Sequence, residues 1–203
     1  MTRHEYHAGP ARPGGAALAP DKVQIVFADL QASLTGGSCT IEPGALARSA
    51  AGLAGIATIL ELPMWFSVAA QAGMDPTLIE ALQPWADEAN TLPRVTPGAL
   101  MDAPTREALA AAHRPILVVT GFASEVVVLQ TVLDARAAGY TVYYAVDAIG
   151  GLSQRSEQAA FREMDSAGAL PTSVIGLAAR LAPDFSRAPG TEVLAVMQSL
   201  MSD

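Results

Sequence analysis

A single cysteine, Cys39, in 203 residues excludes an internal disulfide and any metal site built from several thiolates. Lysine is as scarce: of the 12 lysines and arginines, Lys22 is the only lysine. Any chemistry that needs a lysine amine therefore has one candidate. No run of 18 or more apolar residues occurs, and no basic segment followed by an apolar one opens the chain, so neither a membrane span nor a secretory leader is expected. A net charge of −8 leaves no basic patch to replace phosphate counterions, which argues against a nucleic-acid partner. The glycine pairs at 14–15, 36–37 and 150–151 lack the spacing of a phosphate loop. His4 and His7 have no third ligand nearby, and Gly9, Pro10 and Pro13 break any helix that would align them. The expectation is a soluble, cytoplasmic protein with no metal and no other cofactor.

With 51% of its residues hydrophobic, the chain can bury one large core. The reading is an arm over residues 1–20, rich in Gly, Pro and Ala, and one α/β domain over 21–203. The organising stretch is Arg114 to Asp134, RPILVVTGFASEVVVLQTVLD. Ile116 to Val119 is an unbroken apolar run, the pattern of a strand buried on both faces of a parallel sheet. After Gly121 the period becomes helical: Val126, Leu129, Val132, Leu133 and Ala137 share a face, with Ser124 as N-cap and Glu125 in the first turn. A strand, tight turn and helix in this order aim backbone amides at the carboxyl end of the sheet, where open α/β folds bind ligands.

Further strands are expected over 22–30, 63–68, 90–95, 140–147 and 170–175. Helices are expected over 43–60, 124–138, 153–167 and 191–201, with others before Ile116 and from about Gly176. This alternation predicts a mostly parallel six-stranded sheet in a three-layer α/β/α, Rossmann-like arrangement. Trp65, Phe66 and Trp85 read as core residues rather than ligand contacts. Asp29 ends the first strand, VQIVFADLQ, where a buried carboxylate needs either a partner or a task. Cys39, in a Gly-Ser loop beside the expected cleft, has no evident cation or helix N-terminus to activate it.

The segment TGFASEVVVLQTVLDARAAGYTVYYAVDAIGG resembles that of isochorismatase-like hydrolases, the cysteine hydrolase superfamily. The first strand's Asp29 and Gln31 fit that family's Asp-x-Gln, and SEQAAFREMDSAGA is similar to a helix of its amidase-like branch. The resemblance implies the strand order 3-2-1-4-5-6, a homo-oligomer and a small-molecule substrate. It implies Asp29 as acid or base, and it places Arg94 where the family has a catalytic lysine and Val127 where it has the nucleophilic cysteine. Gln31, Ala123, Ser124, Glu125 and Val126 fall at its substrate-binding positions, with amides around Val126 and Val127 as an oxyanion hole and a non-proline cis bond at Ala123–Ser124.

Lys22 cannot take the lysine's place. Six or seven extended residues put it ~20 Å from Asp29, at the other end of the sheet. Arg94 stays charged at any accessible pH, so it holds an anion but is a poor proton carrier, and close to Asp29 it would lower that carboxyl's pKa. Valine has no lone pair for covalent catalysis. The resemblance thus implies a hydrolase acting without the usual cysteine, with Asp29 as the acid/base. The alternatives are an inactive relative that binds a small molecule or protein partner, and a structural protein whose cleft Val127 fills. Ser124 and Cys39 remain as candidate replacement nucleophiles.

Overall fold

The computed structural model describes residues 18–70 and 76–202. One six-stranded sheet runs in the order β3-β2-β1-β4-β5-β6, with every neighbouring pair parallel. Its strands are β1 (Val23–Ala28), β2 (Met64–Ala69), β3 (Thr91–Arg94), β4 (Ile116–Phe122), β5 (Thr141–Gly150) and β6 (Leu170–Thr172). The helices are α1 (Ala32–Thr35), α2 (Pro43–Ile59), α3 (Ala103–Ala111), α4 (Leu129–Ala137), α5 (Gln154–Ser166), α6 (Val174–Leu181) and α7 (Gly190–Ser202). Among the described residues no helix is long and apolar enough to cross a membrane.

Period-two alternation within the buried strands builds two cores. Ile25, Phe27, Phe66, Val118 and Tyr143 point to one face, where Leu53 and Ile56 of α2, Leu177 of α6 and Val193 of α7 cover them. Val26, Ala28, Leu117, Val119 and Val142 point to the other, under Leu109 of α3, Val132 of α4 and Met164 of α5. The central strands are therefore almost wholly apolar, because neither face meets water; the buried exceptions, Gln24 of β1 and Thr120 of β4, are hydrogen-bonded. The tryptophans and Phe66 belong to this packing. Phe66 stacks on Phe27 with centroids 5.0 Å apart, the Trp65 indole donates to Gln24 Oε1 at 3.0 Å, and Trp85 packs on the first core.

The boundaries differ from expectation where a cap or a kink intervenes. β1 stops at Ala28 because Asp29 adopts φ 53°, a left-handed conformation that ends extended pairing. β6 is three residues long: Ser173 accepts from the Gly176 amide, and both carboxylate oxygens of Asp147 accept from the Val174 amide, so α6 begins at Val174 rather than near Gly176. The segment between β2 and β3 carries a 3₁₀ helix, Glu80–Trp85. Leu18 packs against the first core and Pro20–Lys22 forms a 3₁₀ turn, so the packed region includes the last residues assigned to the arm. His4, His7 and the turn signals at Gly73 and Asp75 lie outside the described residues.

Two features bring the site together. Gly121 of β4 runs so close to β1 that a Cβ would lie 2.1 Å from the Ala28 carbonyl oxygen, and its φ is +150°. Only glycine allows the two central strands to end this close together. Lys22 precedes β1, at the sheet's amino end, away from Asp29 as its spacing requires.

Candidate functional site

The Asp29 amide donates to the Ser67 carbonyl at 2.8 Å, which carries the β1–β2 ladder one residue past the strand and fixes the left-handed turn. The carboxyl group, thus held, meets Arg94 from the end of β3. Arg94 Nη2 donates to Asp29 Oδ2 in an ion pair, Nη1 donates to the Thr96 carbonyl, and Nε donates to Ser67 Oγ at 3.1 Å. Asp29 is 7% exposed and Arg94 4%. The pair is thus largely out of water, and each guanidinium nitrogen has a protein acceptor. The other carboxylate oxygen, Oδ1, is buried without a hydrogen-bond partner.

This environment overturns the expected direction of the Asp29 titration. Burial pushes the carboxyl above the ordinary carboxylate range, and the opposing charge and hydrogen bond of Arg94, with a smaller pull from the Ala69 backbone amide, do not cancel it. A proton is held more tightly here than in water, and Oδ1 is the oxygen left outside the Arg94 pair.

Gln31 sits beside the pair with its amide committed to the backbone. Its Oε1 accepts from the Ala69 amide at 2.6 Å and its Nε2 donates to the Ala69 carbonyl at 3.1 Å. Gln31 is wholly buried and clamps the end of β2 to the turn after β1. A pocket of about 260 Å³ opens on the outer side of Arg94, lined by Ala70, Pro93, Val95, Asp102, Ala103 and Pro104.

The turn after β4 departs from the expected geometry. The helix starts not with a Ser124 cap but with a π turn, Ser124–Val128, whose N-cap is Ala123. One extra residue per turn shifts the helical phase. Val126, assigned to the buried stripe, is 45% exposed, and Val127 is 0% exposed, packed in the second core. The Val126 amide donates to the Ala123 carbonyl at 3.1 Å, so it closes the turn instead of waiting for an oxyanion. The cis peptide is Phe122–Ala123, one bond before the expected position.

Ser124 is also sealed. It has no exposed surface, its hydroxyl donates to Glu125 Oε2 at 2.9 Å, and a Cβ on Gly151 would lie 2.6 Å from its Oγ. Glu125 in turn accepts at Oε1 from the Leu152 amide at 2.8 Å, the Ser153 amide at 3.3 Å and the Ser156 hydroxyl. Although its partial burial pulls upward, these donors together hold the Glu125 carboxyl below its usual range, so it caps the approach to α5 and is a weak base. Cys39 is exposed on the loop before α2, its amide bonded to the Gly151 carbonyl at 2.9 Å.

The structure therefore brings Asp29, Arg94 and Gln31 together at the ends of β1 to β3. It turns Val127 and Ser124 into packing and gives Glu125 to the neighbouring loop. Ser67 and the Thr96 carbonyl were not anticipated. Ser67 had a signal, being the one polar residue in the strand MWFSVA.

The isochorismatase domain matches residues 66–175 of the chain. No curated protein matches it. Solved structures share its fold. The YcaC gene product from Escherichia coli, an octameric hydrolase of unknown specificity, aligns with TM-score 0.83 and 24% identity over 95% of this chain and 92% of its own. YcaC from Pseudomonas aeruginosa, solved with hexane-2,5-diol and covalent acrylamide, aligns with TM-score 0.80 and 22% identity over 92% and 98%. MAR1 ribonuclease from Caenorhabditis elegans aligns with TM-score 0.81 and 21% identity over 90% and 93%.

Proposed function

This chain belongs to the isochorismatase domain family, and from that premise we propose that it is a small-molecule hydrolase in which Asp29, not a thiolate, drives the reaction. The observation that carries the reading is the Asp29 carboxyl itself: buried, paired through Oδ2 to Arg94, and free at Oδ1. Burial that raises its pKa favours the protonated form an acid needs. In the proposed cycle the Oδ1 proton passes to the substrate's leaving atom and the weakened bond breaks. Water attacks the cation so formed, and the proton that water sheds returns to Asp29. Such a cycle needs no covalent intermediate, so Val127 does not obstruct it. Arg94 keeps Oδ2 occupied and directs the chemistry to Oδ1.

A second reading has its own support. Ser124 is sealed beneath Gly151 and, among the described residues, no cation is paired with Cys39, which fits a relative that binds a small molecule or a protein partner without turning anything over. Under either reading the chain is taken as cytoplasmic and homo-oligomeric, the octameric Escherichia coli relative supporting the oligomer alone.

The deciding experiment presents the purified protein with isochorismate, nicotinamide, simple N-carbamoyl compounds and a chromogenic ester, beside Asp29→Asn and Val127→Cys. Turnover that disappears in Asp29→Asn establishes the Asp-driven enzyme. No turnover by the native chain across the panel, with ligand binding retained, establishes the binder.

A further inference from the structure

Ser67 lies in the middle of a buried strand with no exposed surface, among residues that are otherwise apolar. A hydroxyl there requires a partner, since an unsatisfied one in an apolar interior is costly. Its hydroxyl and its carbonyl both serve the Asp29–Arg94 pair. The Ser67 carbonyl accepts from the Asp29 amide at 2.8 Å, and its Oγ accepts from Arg94 Nε at 3.1 Å. One residue thus holds Asp29 by its backbone and Arg94 by its side chain.

The guanidinium is planar, so fixing Nε and one terminal nitrogen fixes the direction of the other. With Nε on Ser67 and Nη1 on the Thr96 carbonyl, Nη2 is left pointing at Asp29 Oδ2. The left-handed backbone of Asp29 is tied to the same Ser67. Of the two oxygens, only Oδ2 then reaches the guanidinium.

We propose that Ser67 is the positioning residue of this site, setting the Arg94 fork so that Asp29 Oδ2 is occupied and Oδ1 is left for the proton. The assignment rests on the Asp29-driven reading for its catalytic meaning, but its geometry is open to test without any substrate. Without the Ser67 hydroxyl, Arg94 Nε has no acceptor in the strand and the fork is free to turn. Its hold on Oδ2 weakens, and the Asp29 carboxyl binds its proton more tightly still. Arg94 is the one charged group that acts on Asp29 among the described residues, so no other element masks the change.

The test follows the Asp29 carboxyl carbon by NMR across a pH titration in the full chain, with Asp29→Asn assigning the resonance. Ser67→Ala and Ser67→Thr are compared with the native protein. The expected result is an upward displacement of the Asp29 midpoint in Ser67→Ala by about one unit, tenfold in proton affinity, and a native midpoint in Ser67→Thr, which restores the oxygen. An unmoved midpoint in a folded Ser67→Ala would overturn the assignment even if its stability falls, because that is the signature of a packing role. An equal displacement in both variants would overturn it too, since the hydroxyl would then be irrelevant. Should Ser67→Ala fail to fold, Ser67→Cys, with a weak acceptor in the same place, is expected to give an intermediate displacement, and a native midpoint there overturns the proposal. If a substrate is found, Ser67→Ala should lower kcat with little change in KM and move the alkaline limb of the rate profile, where the Asp29 acid loses its proton, upward by the same interval. If none is found, the enzyme reading falls while the titration still decides the role of Ser67.

Discussion

Two regions lie side by side at the carboxyl end of the sheet, and they have been treated oppositely. At the ends of β1, β2 and β3, polar groups are buried: Asp29, Arg94 and Ser67 are held to one another, with Asp29 Oδ1 outside the pair, and Gln31 holds the Ala69 backbone beside them. In the turn after β4, the position expected to carry the nucleophile is a valine with no exposed surface, and the neighbouring serine is covered. Keeping a carboxylate out of water is costly and persists only with compensation, whereas a buried valine stabilises the fold unaided. The first region therefore keeps a buried, paired carboxyl group, and the second is core.

The sharpest way to break this contrast is to remove the compensation. Arg94→Ala leaves Asp29 buried without its cation, and a loss of about 3–5 kcal/mol at neutral pH is expected from urea unfolding. The loss should shrink in acid, because a protonated Asp29 needs no counter-charge. Next in size is Gly121→Ala, which forces a Cβ into the Ala28 carbonyl between the two regions and should cost on the order of 3 kcal/mol, read as a lowered Tm.

Smaller changes sharpen the contrast. Val127→Cys should cost only about 1 kcal/mol, the loss of a buried methyl group. The introduced thiol should resist iodoacetamide while Cys39, which is exposed, reacts first. Equal labelling of both by mass spectrometry would show that the turn is open, not core.

The two carboxylates also titrate with opposite sign. Asp29 has a folded pKa above its unfolded one, so its contribution is fully present below about pH 4 and is lost as pH rises through the raised value. Glu125 has a folded pKa below its unfolded one, so its contribution is present above about pH 4.5 and is lost as pH falls. Glu125→Gln should therefore cost on the order of 1 kcal/mol at pH 7, reduced by its partial exposure, and less near pH 3. Asp29→Asn should instead remove a decline in stability between acid and neutral pH. Parallel stability curves for the two variants would contradict the assignment.

Much of this was legible beforehand because it depends on local pattern. The apolar run from Ile116 to Val119 marked the central strand, the helical spacing of Ala160, Phe161, Met164 and Ala167 marked α5, and Asp29 stood out as an acid at the end of an apolar strand. What failed depended on phase or burial. A π turn adds one residue without any sequence punctuation, so Val126 and Val127 exchanged inward and outward positions. The Asp29 pKa was expected to fall because the neighbouring charge was inferred and the depth of burial was not.

The sequence alone determined the alternation of strands and helices, the isolation of Lys22 at the far end of the sheet, and the absence of a thiol at position 127. These follow from residue identity and spacing along a chain of known rise per residue. Only the tertiary structure decided which oxygen of Asp29 is free, which way Val127 faces and that Ser67 binds both partners of the buried pair. Those are contacts between strands that are remote in the sequence, and their geometry exists only once the sheet has brought β1, β2 and β3 into register.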